Sequence, residues 1–278
     1  MFIGLSTFLL ALLLAIISAF TFWCVINPWD FYRPIIMFIV FYIALLVTWL
    51  IVIEIIGAIL NKKKHISKND YRIAKFLLAE GIQCINNHAL IRVKFVGRSR
   101  LPKNGQRFLY VSNHKSNFDP MIAYVLLKEY NVPFITKPEN FKIPFGGKLM
   151  RIVDFQAIQR DDPLKSLDTI NNCISLIKQD KCSIGVYPEG TRIHSNELGD
   201  FHEGVFSIAL KAKCPIVIST VRNTEKIHKN FPKRFSYVNF DIVRTIYPED
   251  FSDMTAKALS DMCKEIMNAN LERYKRHE

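Results

Sequence analysis

The sequence lacks a cysteine pattern of either the redox or the metal-binding kind. Its six cysteines include no C-x-x-C pair, and none of them is grouped with histidine at zinc-ligand spacing. Since disulfide frameworks belong to oxidising compartments, we interpret the cysteines as reduced and mostly buried thiols, which agrees with a cytosolic domain. The six are Cys24, Cys84, Cys173, Cys182, Cys214 and Cys263.

Charge is missing from most of the first 60 residues. Residues 2–26 hold no charged side chain, and residues 35–60 hold only Glu54. Each run exceeds the roughly 20 residues needed to cross the hydrocarbon core of a bilayer. Because the first run has no basic start and is too long for a signal peptide, we predict that both runs are membrane helices. The short turn between them, residues 27–34, would make them a helical hairpin.

The predicted hairpin divides the chain into an N-terminal two-helix membrane anchor, residues 1–60, and a second domain, residues 61–278. Lys62, Lys63 and Lys64 follow the second apolar run directly. Basic clusters beside membrane helices stay on the cytoplasmic side, so we predict that the second domain lies there too. A hairpin buried in a single leaflet is an alternative that the sequence leaves open.

The chain is strongly basic outside the predicted anchor. The formal net charge of the whole sequence is +12. Because residues 1–60 hold Arg33 against Asp30 and Glu54, the remaining residues carry +13. A basic surface fits nucleic acid or anionic lipid, and the adjoining membrane helices favour membrane lipids as the partner. The sequence has no zinc-finger spacing and no RNA-recognition strand motif, so nucleic acid is not an expected partner.

Residues 61–278 contain no internal repeat and no low-complexity linker, which indicates one domain. Short β-rich runs alternate with segments of helical spacing, which predicts an α/β fold with a mixed, largely parallel sheet flanked by helices. The clearest helix is Pro163–Lys178, with its apolar side chains on one face. Those side chains are Leu164, Leu167, Ile170, Ile174 and Ile177. The predicted strands are 90–96, 107–112, 133–136, 155–158, 182–187, 215–221 and 237–246, and the other predicted helices are 71–85, 119–130, 201–213 and 255–274.

The first segment suited to chemistry is NHKSNFDP, residues 113–120, at the end of a predicted strand, where α/β folds place their sites. His114 precedes Asp119 by five residues. A carboxylate that accepts a hydrogen bond from one imidazole nitrogen leaves the other nitrogen free to take a proton from a hydroxyl group. The plainer interpretation is structural, because Asp119 followed by Pro120 is also typical of a helix start with the aspartate as its cap.

Two more segments hold side chains that could bind a phosphate. In YPEGTR, residues 187–192, Gly190 lets the backbone approach a ligand and Arg192 offers a planar fork of donors. An ordinary turn with a solvated arginine is the alternative. In KPENFKIPFGG, residues 137–147, Lys137 could hold a phosphate while the apolar side chains touch acyl chains or lipid. A packed loop with solvated lysines explains this segment equally well.

In this order, the segments resemble the motifs of the glycerolipid acyltransferase family, in particular bacterial 1-acyl-sn-glycerol-3-phosphate acyltransferases. The family pattern N-H-x-x-x-x-D appears here as Asn113, His114 and Asp119. The pattern F-P-E-G-T-R appears in residues 188–192, K-x-E-L-x-x-x-P in residues 137–144, and a weaker V-P-I-V-P-V in residues 214–219.

The sequence departs from the family patterns at three positions. Asn140 stands where leucine is usual, Tyr187 where phenylalanine is common, and Ile218 where a second proline is expected. None of these changes removes a charged or acid–base residue. They therefore bear on acyl or acceptor preference before they bear on catalysis.

The resemblance implies transfer of a fatty acyl group from an acyl thioester, acyl-CoA or acyl-ACP, to the sn-2 hydroxyl of 1-acyl-sn-glycerol 3-phosphate, which gives phosphatidic acid. It implies that His114 is the general base and that Asp119 orients it. No cofactor and no metal are expected, and the expected location is a bacterial cell membrane. The implied substrate-binding residues are Lys137, Arg160, Glu189, Gly190, Thr191 and Arg192.

Other functions remain open at this point. A metal-dependent hydrolase would need more ligands than His114 and Asp119, and the remaining histidines form no ligand-spaced cluster. A different lysolipid or glycerol 3-phosphate is an alternative acceptor, and a non-catalytic module that binds anionic lipid is a further alternative. The chain contains no G-x-S-x-G motif, so direct transfer without a covalent acyl-enzyme is expected.

Overall fold

The structure is a computed structural model that describes residues 8–17, 32–103, 105–193, 195 and 197–276. The helices are α1 Phe8–Ile17, α2 Tyr32–Asn61, α3 Lys68–His88, α4 Phe118–Leu126, α5 Gly147–Ile152, α6 Pro163–Lys178, α7 Ser207–Ala212, α8 Ile227–Asn230 and α9 Ala256–Lys275. The strands are β1 Ile91–Val96, β2 Leu109–Ser112, β3 Ile135–Thr136, β4 Gln156–Ala157, β5 Ile184–Val186, β6 Ile216–Arg222 and β7 Ser236–Ile246.

The chain forms two compact units. The first consists of Met1–Cys84 together with Phe141–Val153, and the second consists of Ile85–Asn140 and Asp154–Glu278. The chain therefore leaves the second unit after Asn140 and returns to it at Asp154. The predicted functional boundary at residue 60 stays a prediction, since these units are defined by packing alone.

One helix in the described part of the chain, Ile35–Asn61 within α2, is long and apolar enough to cross a membrane, with a mean hydropathy of 2.9. The predicted two-helix hairpin is not established. The first predicted membrane helix is described only over Phe8–Ile17, which is too short to span, and most of the predicted turn lies outside the described residues. The rest of that turn is helical, because α2 begins at Tyr32 and places Pro34 in its first turn, where proline is tolerated.

Helix α3 begins three residues before its predicted start, at a reciprocal cap. The Ser67 hydroxyl accepts from the Asp70 amide at 3.1 Å, and the Asp70 carboxylate accepts from the Ser67 amide at 3.2 Å. These bonds satisfy two amides that the first turn leaves without helical partners. Ala74, Leu77 and Leu78 form the buried stripe of the helix.

Helix α5 was not predicted, and it packs on α2 within the first unit. Glu54, the acidic residue of the apolar run, accepts hydrogen bonds from the Lys148 ammonium group and, at 2.9 Å, from the Phe145 amide. Gly57 leaves room for Leu149, whose side chain lies 3.5 Å from the position of an added β-carbon. The segment at 141–153 is therefore tied to the membrane-length helix by one carboxylate.

The second unit is an α/β fold around a five-stranded sheet of order β1-β7-β6-β2-β5. Strands β2, β5 and β6 are parallel to one another, β1 is parallel to β7, and β6 pairs with β7 antiparallel. A parallel pair of β3 and β4 continues beside β5 through the bridge of Phe134 to Gly185. The predicted mixed, largely parallel sheet flanked by helices is confirmed.

One face of the sheet carries the main hydrophobic core, under α6, α7 and α9. The caps of two of these helices follow from sequence: Asp162 accepts from the Lys165 amide ahead of α6, and Thr255 accepts from the Ala258 amide ahead of α9. Three of the five apolar side chains that were predicted to share one face of α6 are buried. Ile170, Ile174 and Ile177 are buried with Thr169 and Cys173, whereas Leu164 and Leu167 are exposed to 76% and 47%.

The opposite face of the sheet is aromatic. The ring of Tyr110 on β2 stacks on Phe240 of β7 and meets Phe134 edge-on, with centroid distances of 6.3 and 5.9 Å. Tyr110, on this face, lies in the strand that precedes the loop with His114. Of the described cysteines, Cys84 is part-buried and the other four are buried, as predicted; Cys24 lies outside the described residues.

Candidate active site

The sheet topology brings the predicted site segments to one edge. Strands β2, β5, β3 and β4 run in the same direction, so their carboxyl ends lie at the same edge of the sheet. His114 follows β2, Lys137 follows β3, Arg160 follows β4 and Glu189 follows β5. Segments separated by up to 75 residues in the chain thus meet where parallel strands end.

His114 and Asp119 form a hydrogen-bonded pair. The imidazole Nδ1 lies 2.9 Å from Asp119 Oδ2, which also accepts from the amides of Lys115 and Ser116 at 2.6 and 2.7 Å. The Asp119 side chain is fully buried, while the His114 side chain is 18% exposed. Three nitrogen atoms thus converge on one buried oxygen, and the contact with Asp119 directs Nδ1 of the imidazole inward. Nε2 has no hydrogen-bond partner among the described residues.

The loop that carries His114 is held at both sides. The Asn113 side chain accepts from the Val221 amide at 2.8 Å and donates to the Val221 carbonyl at 3.0 Å, which ties the end of β2 to β6. The His114 carbonyl accepts from the Ile193 amide at 2.9 Å, which ties it to the segment after β5. Hydrogen bonds on both sides therefore hold the backbone segment that carries the imidazole.

The sequence suggested that Asp119 could cap α4, but in the structure it does not. The helix begins at Phe118 with Asn117 at the N-cap position, and no side chain there bonds to the first turn. Asp119 lies inside the first turn, and its carboxylate points back into the loop. The structural interpretation of this aspartate was therefore wrong, because the loop amides and His114 occupy the oxygen that a cap would use.

A second ring packs on the imidazole. The Tyr187 ring stacks on His114 with a centroid distance of 4.5 Å, and Phe134 stacks on the other face of Tyr187 at 5.5 Å. Tyr187 departs from a family pattern in which phenylalanine is common, and no role was predicted for it from the sequence. Its position directly after β5 was the available signal.

Glu189 lies beside the histidine loop and is 4% exposed. Burial raises the pKa of its carboxyl group to about 7, although the His114 amide and the Lys115 ammonium group act in the opposite direction. Its Oε2 is buried and makes no hydrogen bond among the described residues. A carboxyl group whose pKa is raised to about 7 thus lies next to the backbone of His114.

The side chains of His202 and Arg160 pack against Gly190, whose φ is 67°. A β-carbon added there would lie 2.9 Å from His202 Nε2 and 3.4 Å from Arg160 Cζ, so the glycine permits both side chains to close on the backbone. His202 was missed from the sequence, because it lies twelve residues beyond Gly190 and matches no motif that we recognised.

The remaining predicted site residues, Lys137, Thr191 and Arg192, are exposed. They lie just after β3 and β5, and among the described residues they form no hydrogen bond or ion pair with His114 or Asp119. The structure thus brings together His114, Asp119, Glu189, Gly190 and Arg160, and it leaves the other three side chains exposed. In the described ranges, no three His, Cys, Asp or Glu residues are grouped to hold a metal ion.

A family model described as Acyltransferase matches residues 92–221. Two chloroplastic 1-acyl-sn-glycerol-3-phosphate acyltransferases are similar: one from Brassica napus, 34% identical over 51% of this chain and 41% of the relative, and one from Arabidopsis thaliana, 32% identical over 65% and 49%. The chain thus spans less than half the length of these relatives. A Salmonella typhimurium 1-acyl-sn-glycerol-3-phosphate acyltransferase is 27% identical over 62% of this chain and 71% of its own length.

The crystal structure of the LPA acyltransferase PlsC from Thermotoga maritima matches with a TM-score of 0.57 and 21% identity, over 75% of this chain and 80% of that chain. At that identity the match shows a shared fold. Taken with the sequence matches, it confirms the resemblance to glycerolipid acyltransferases that the motifs indicated.

Proposed function

We propose that this chain, whose residues 92–221 match a family model described as Acyltransferase, transfers a fatty acyl group from an acyl thioester to the sn-2 hydroxyl of 1-acyl-sn-glycerol 3-phosphate, which gives phosphatidic acid. The observation that carries the proposal is the His114–Asp119 pair, in which Nδ1 is held by a buried carboxylate and Nε2 is left for a substrate. The printed activity of the similar plant and bacterial proteins supports this choice of acceptor.

In the proposed reaction, His114 Nε2 takes the proton of the acceptor hydroxyl as its oxygen attacks the thioester carbonyl. The new C–O bond forms, the C–S bond breaks, and the proton passes from the imidazolium to the departing thiolate. Asp119 stabilises the imidazolium through Nδ1. General base catalysis of this kind typically contributes about 10² to 10⁴ in rate.

The acceptor phosphate would bind to the cationic rim of the site. Arg160 lies against Gly190, and Lys137 and Arg192 extend from neighbouring strand ends without an ion-pair partner among the described residues. Arginine matches phosphate oxygens with a planar fork of donors, whereas lysine acts as a compact charge. Glu189, Gly190 and Thr191 would shape the glycerol site between this rim and His114.

The proposed acceptor is a membrane lipid, and α2 supplies a helix of membrane-spanning length. The basic cluster that follows α2 supports a cytoplasmic location for the acyltransferase domain. We propose no choice between acyl-CoA and acyl-ACP as the donor. No resident cofactor is required by the proposed reaction, because the thioester itself supplies the activated acyl group.

Thiol release by the full-length protein in detergent or nanodiscs tests the function. Acyl-CoA and acyl-ACP are each supplied with lysophosphatidic acid, glycerol 3-phosphate or no acceptor. We expect release that depends on lysophosphatidic acid, forms phosphatidic acid and disappears in His114→Ala, while His65→Ala, a change at an exposed histidine in the linker, keeps wild-type activity. Release with glycerol 3-phosphate alone would change the acceptor, and no release with either donor would favour a lipid-binding module.

A further inference from the structure

The imidazole of His114 belongs to a stack of three rings. Tyr187 lies between His114 and Phe134, with interplanar angles of 26° and 12°. Phe134 is 2% exposed and lies directly on Gly185, so it cannot move away from Tyr187. Phe134 therefore holds one face of the Tyr187 ring, and the other face of that ring packs on the His114 imidazole.

The Tyr187 hydroxyl is buried and makes no hydrogen bond among the described residues. The same is true of Oδ1 of Asp119, the carboxylate oxygen that does not face His114. A buried donor and a buried acceptor that both lack partners are costly, so unpaired groups of this kind are rare in native proteins.

The Tyr187 hydroxyl lies within electrostatic reach of the Asp119 carboxylate. Burial raises the pKa of Tyr187 well above its usual value of 10, and the nearby Tyr110 and the negative charge of Asp119 raise it further. The protonated hydroxyl, a hydrogen-bond donor, is therefore favoured. Oδ1 of Asp119 has no hydrogen-bond partner among the described residues.

We propose that Tyr187 is a positioning residue for His114, whose ring holds the imidazole plane and whose hydroxyl stabilises the Asp119 carboxylate from the Oδ1 side. Because neither atom has a direct hydrogen-bond partner among the described residues, the contact is made through one bridging water. This inference rests on the proposed function, in which His114 is the base. It assigns the hydroxyl a part in setting the pH at which that base works.

The charged and titratable groups around the pair come from several elements. Asp119 faces the imidazole from α4, and Tyr110 faces Tyr187 from β2. Glu189 approaches from the loop after β5, and it is in turn influenced by Lys115 and by Lys264 of α9. Of these, Glu189 titrates near pH 7, so its contribution to a pH profile must be separated from that of Tyr187.

Removal of the Tyr187 hydroxyl should move the acid limb of the pH profile to higher pH. Without a nearby donor on Oδ1, the negative charge of Asp119 is less stabilised and binds the imidazolium more strongly. Protonated His114 then persists to higher pH, and the base is lost over a wider range. In Tyr187→Phe we expect the acid limb of kcat/KM to move up by about 0.5 to 1 pH unit, with a loss of about 3- to 10-fold at pH 6.5.

Tyr124→Phe is the matched control. The Tyr124 hydroxyl is also buried without a hydrogen-bond partner among the described residues, but burial alone raises the pKa of Tyr124, with no contribution from Asp119. Tyr187→Leu removes ring and hydroxyl together. We expect Tyr187→Leu to lower kcat by about 10²-fold with KM for the acceptor nearly unchanged, and Tyr124→Phe to leave the pH profile in place.

The decisive measurement is the pH dependence of kcat/KM for wild type, Tyr187→Phe, Tyr124→Phe and the double variant Tyr187→Phe with Glu189→Gln. In parallel, the His114 imidazole is titrated by NMR of ¹⁵N-histidine-labelled protein, with His114→Gln to assign its signal. An upward shift in Tyr187→Phe that persists without Glu189 supports the proposal. Equal profiles for Tyr187→Phe and Tyr124→Phe, or a change confined to KM, would overturn it.

The NMR titration needs no turnover, so the two hypotheses fail separately. If the wild type shows no His114-dependent transfer, the proposed function fails, and the imidazole titration still reports whether Tyr187 acts on the pair. If transfer is intact but neither titration nor profile moves in Tyr187→Phe, only the role of Tyr187 is lost.

Discussion

Phe134 lies on Gly185 so closely that an added β-carbon would be 2.4 Å from its Cε1. The two residues are bridged between β3 and β5, and no side chain larger than hydrogen fits between the strand and the ring. Phe134 packs on Tyr187, and Tyr187 stacks on His114. Gly185 therefore determines how closely this stack of rings, which includes the proposed base, approaches the sheet.

Gly185→Ala should therefore affect both stability and activity. Overpacking of a well-packed core typically costs about 1 to 3 kcal/mol, and Phe134 has no space to retreat into. We expect a lower melting temperature in detergent and a reduced kcat, measured by thermal unfolding and by the thiol-release assay. Gly204→Ala serves as the control, because its added β-carbon would meet only Ile170 Cδ1 at 4.0 Å. Equal melting of the two variants would contradict this account.

Asp119→Asn should abolish most activity while preserving much of the loop. The amide oxygen can still accept from the Lys115 and Ser116 amides, but it carries no charge to stabilise the imidazolium. We expect kcat to fall by about 10² to 10⁴ with KM within a few-fold of wild type. Steady-state kinetics checks this, with Asp162→Asn at the α6 cap as the control. A mainly KM effect would assign Asp119 to substrate binding instead.

Glu189→Gln should stabilise the protein at alkaline pH. The folded-state pKa of about 7 lies above the ordinary value of 4.5, so the folded state retains a proton that the unfolded state releases. Glu189 therefore destabilises the fold increasingly from about pH 4.5 to 7, and fully above pH 7. We expect the variant to match wild type near pH 4.5 and to exceed it by on the order of 2 kcal/mol at pH 8. Denaturant unfolding at the two pH values measures this, and a gain that is the same at both would contradict it.

Arg160→Gln should weaken acceptor binding. A charge-assisted hydrogen bond to phosphate contributes about 1.5 to 3 kcal/mol, so KM for lysophosphatidic acid should rise about 10- to 100-fold, with a smaller change in kcat. Arg98→Gln is the control, since that arginine forms an exposed pair with Glu129 at 3.2 Å and should contribute little. An unchanged KM in Arg160→Gln would remove this residue from the phosphate site.

Glu54→Ala should release the segment around α5. The Phe145 amide and the Lys148 ammonium group both lose their acceptor, and a short helix has little stability of its own. Hydrogen exchange measured by mass spectrometry should show faster exchange in residues 141–153 and no change in β2 or β6. Glu129→Ala, which removes an exposed ion pair of the second unit, should leave the exchange of 141–153 unaltered.

Much of the site was predictable because its central pair is local. His114 and Asp119 are five residues apart in a single loop, so chain geometry nearly forces them together once a strand precedes and a helix follows. The same holds for the cap of α6 at Asp162 and for the membrane-length helix, which depend on neighbouring residues or on composition. The prediction that Asp119 caps α4 was wrong, because the residue types that indicate a helix cap do not show whether loop amides will bind the carboxylate instead.

Residue order is enough to predict the periodicity of each segment, the types of side chain at the strand ends and the motif that carries the proposed base. Other features depend on how the elements pack: Tyr187 stacks on His114, Arg160 and His202 close on Gly190, Glu54 accepts from Lys148, and Leu164 and Leu167 of α6 remain exposed. The reason is physical: spacing along the chain encodes helix and strand faces, whereas strand order and packing choose which distant faces meet.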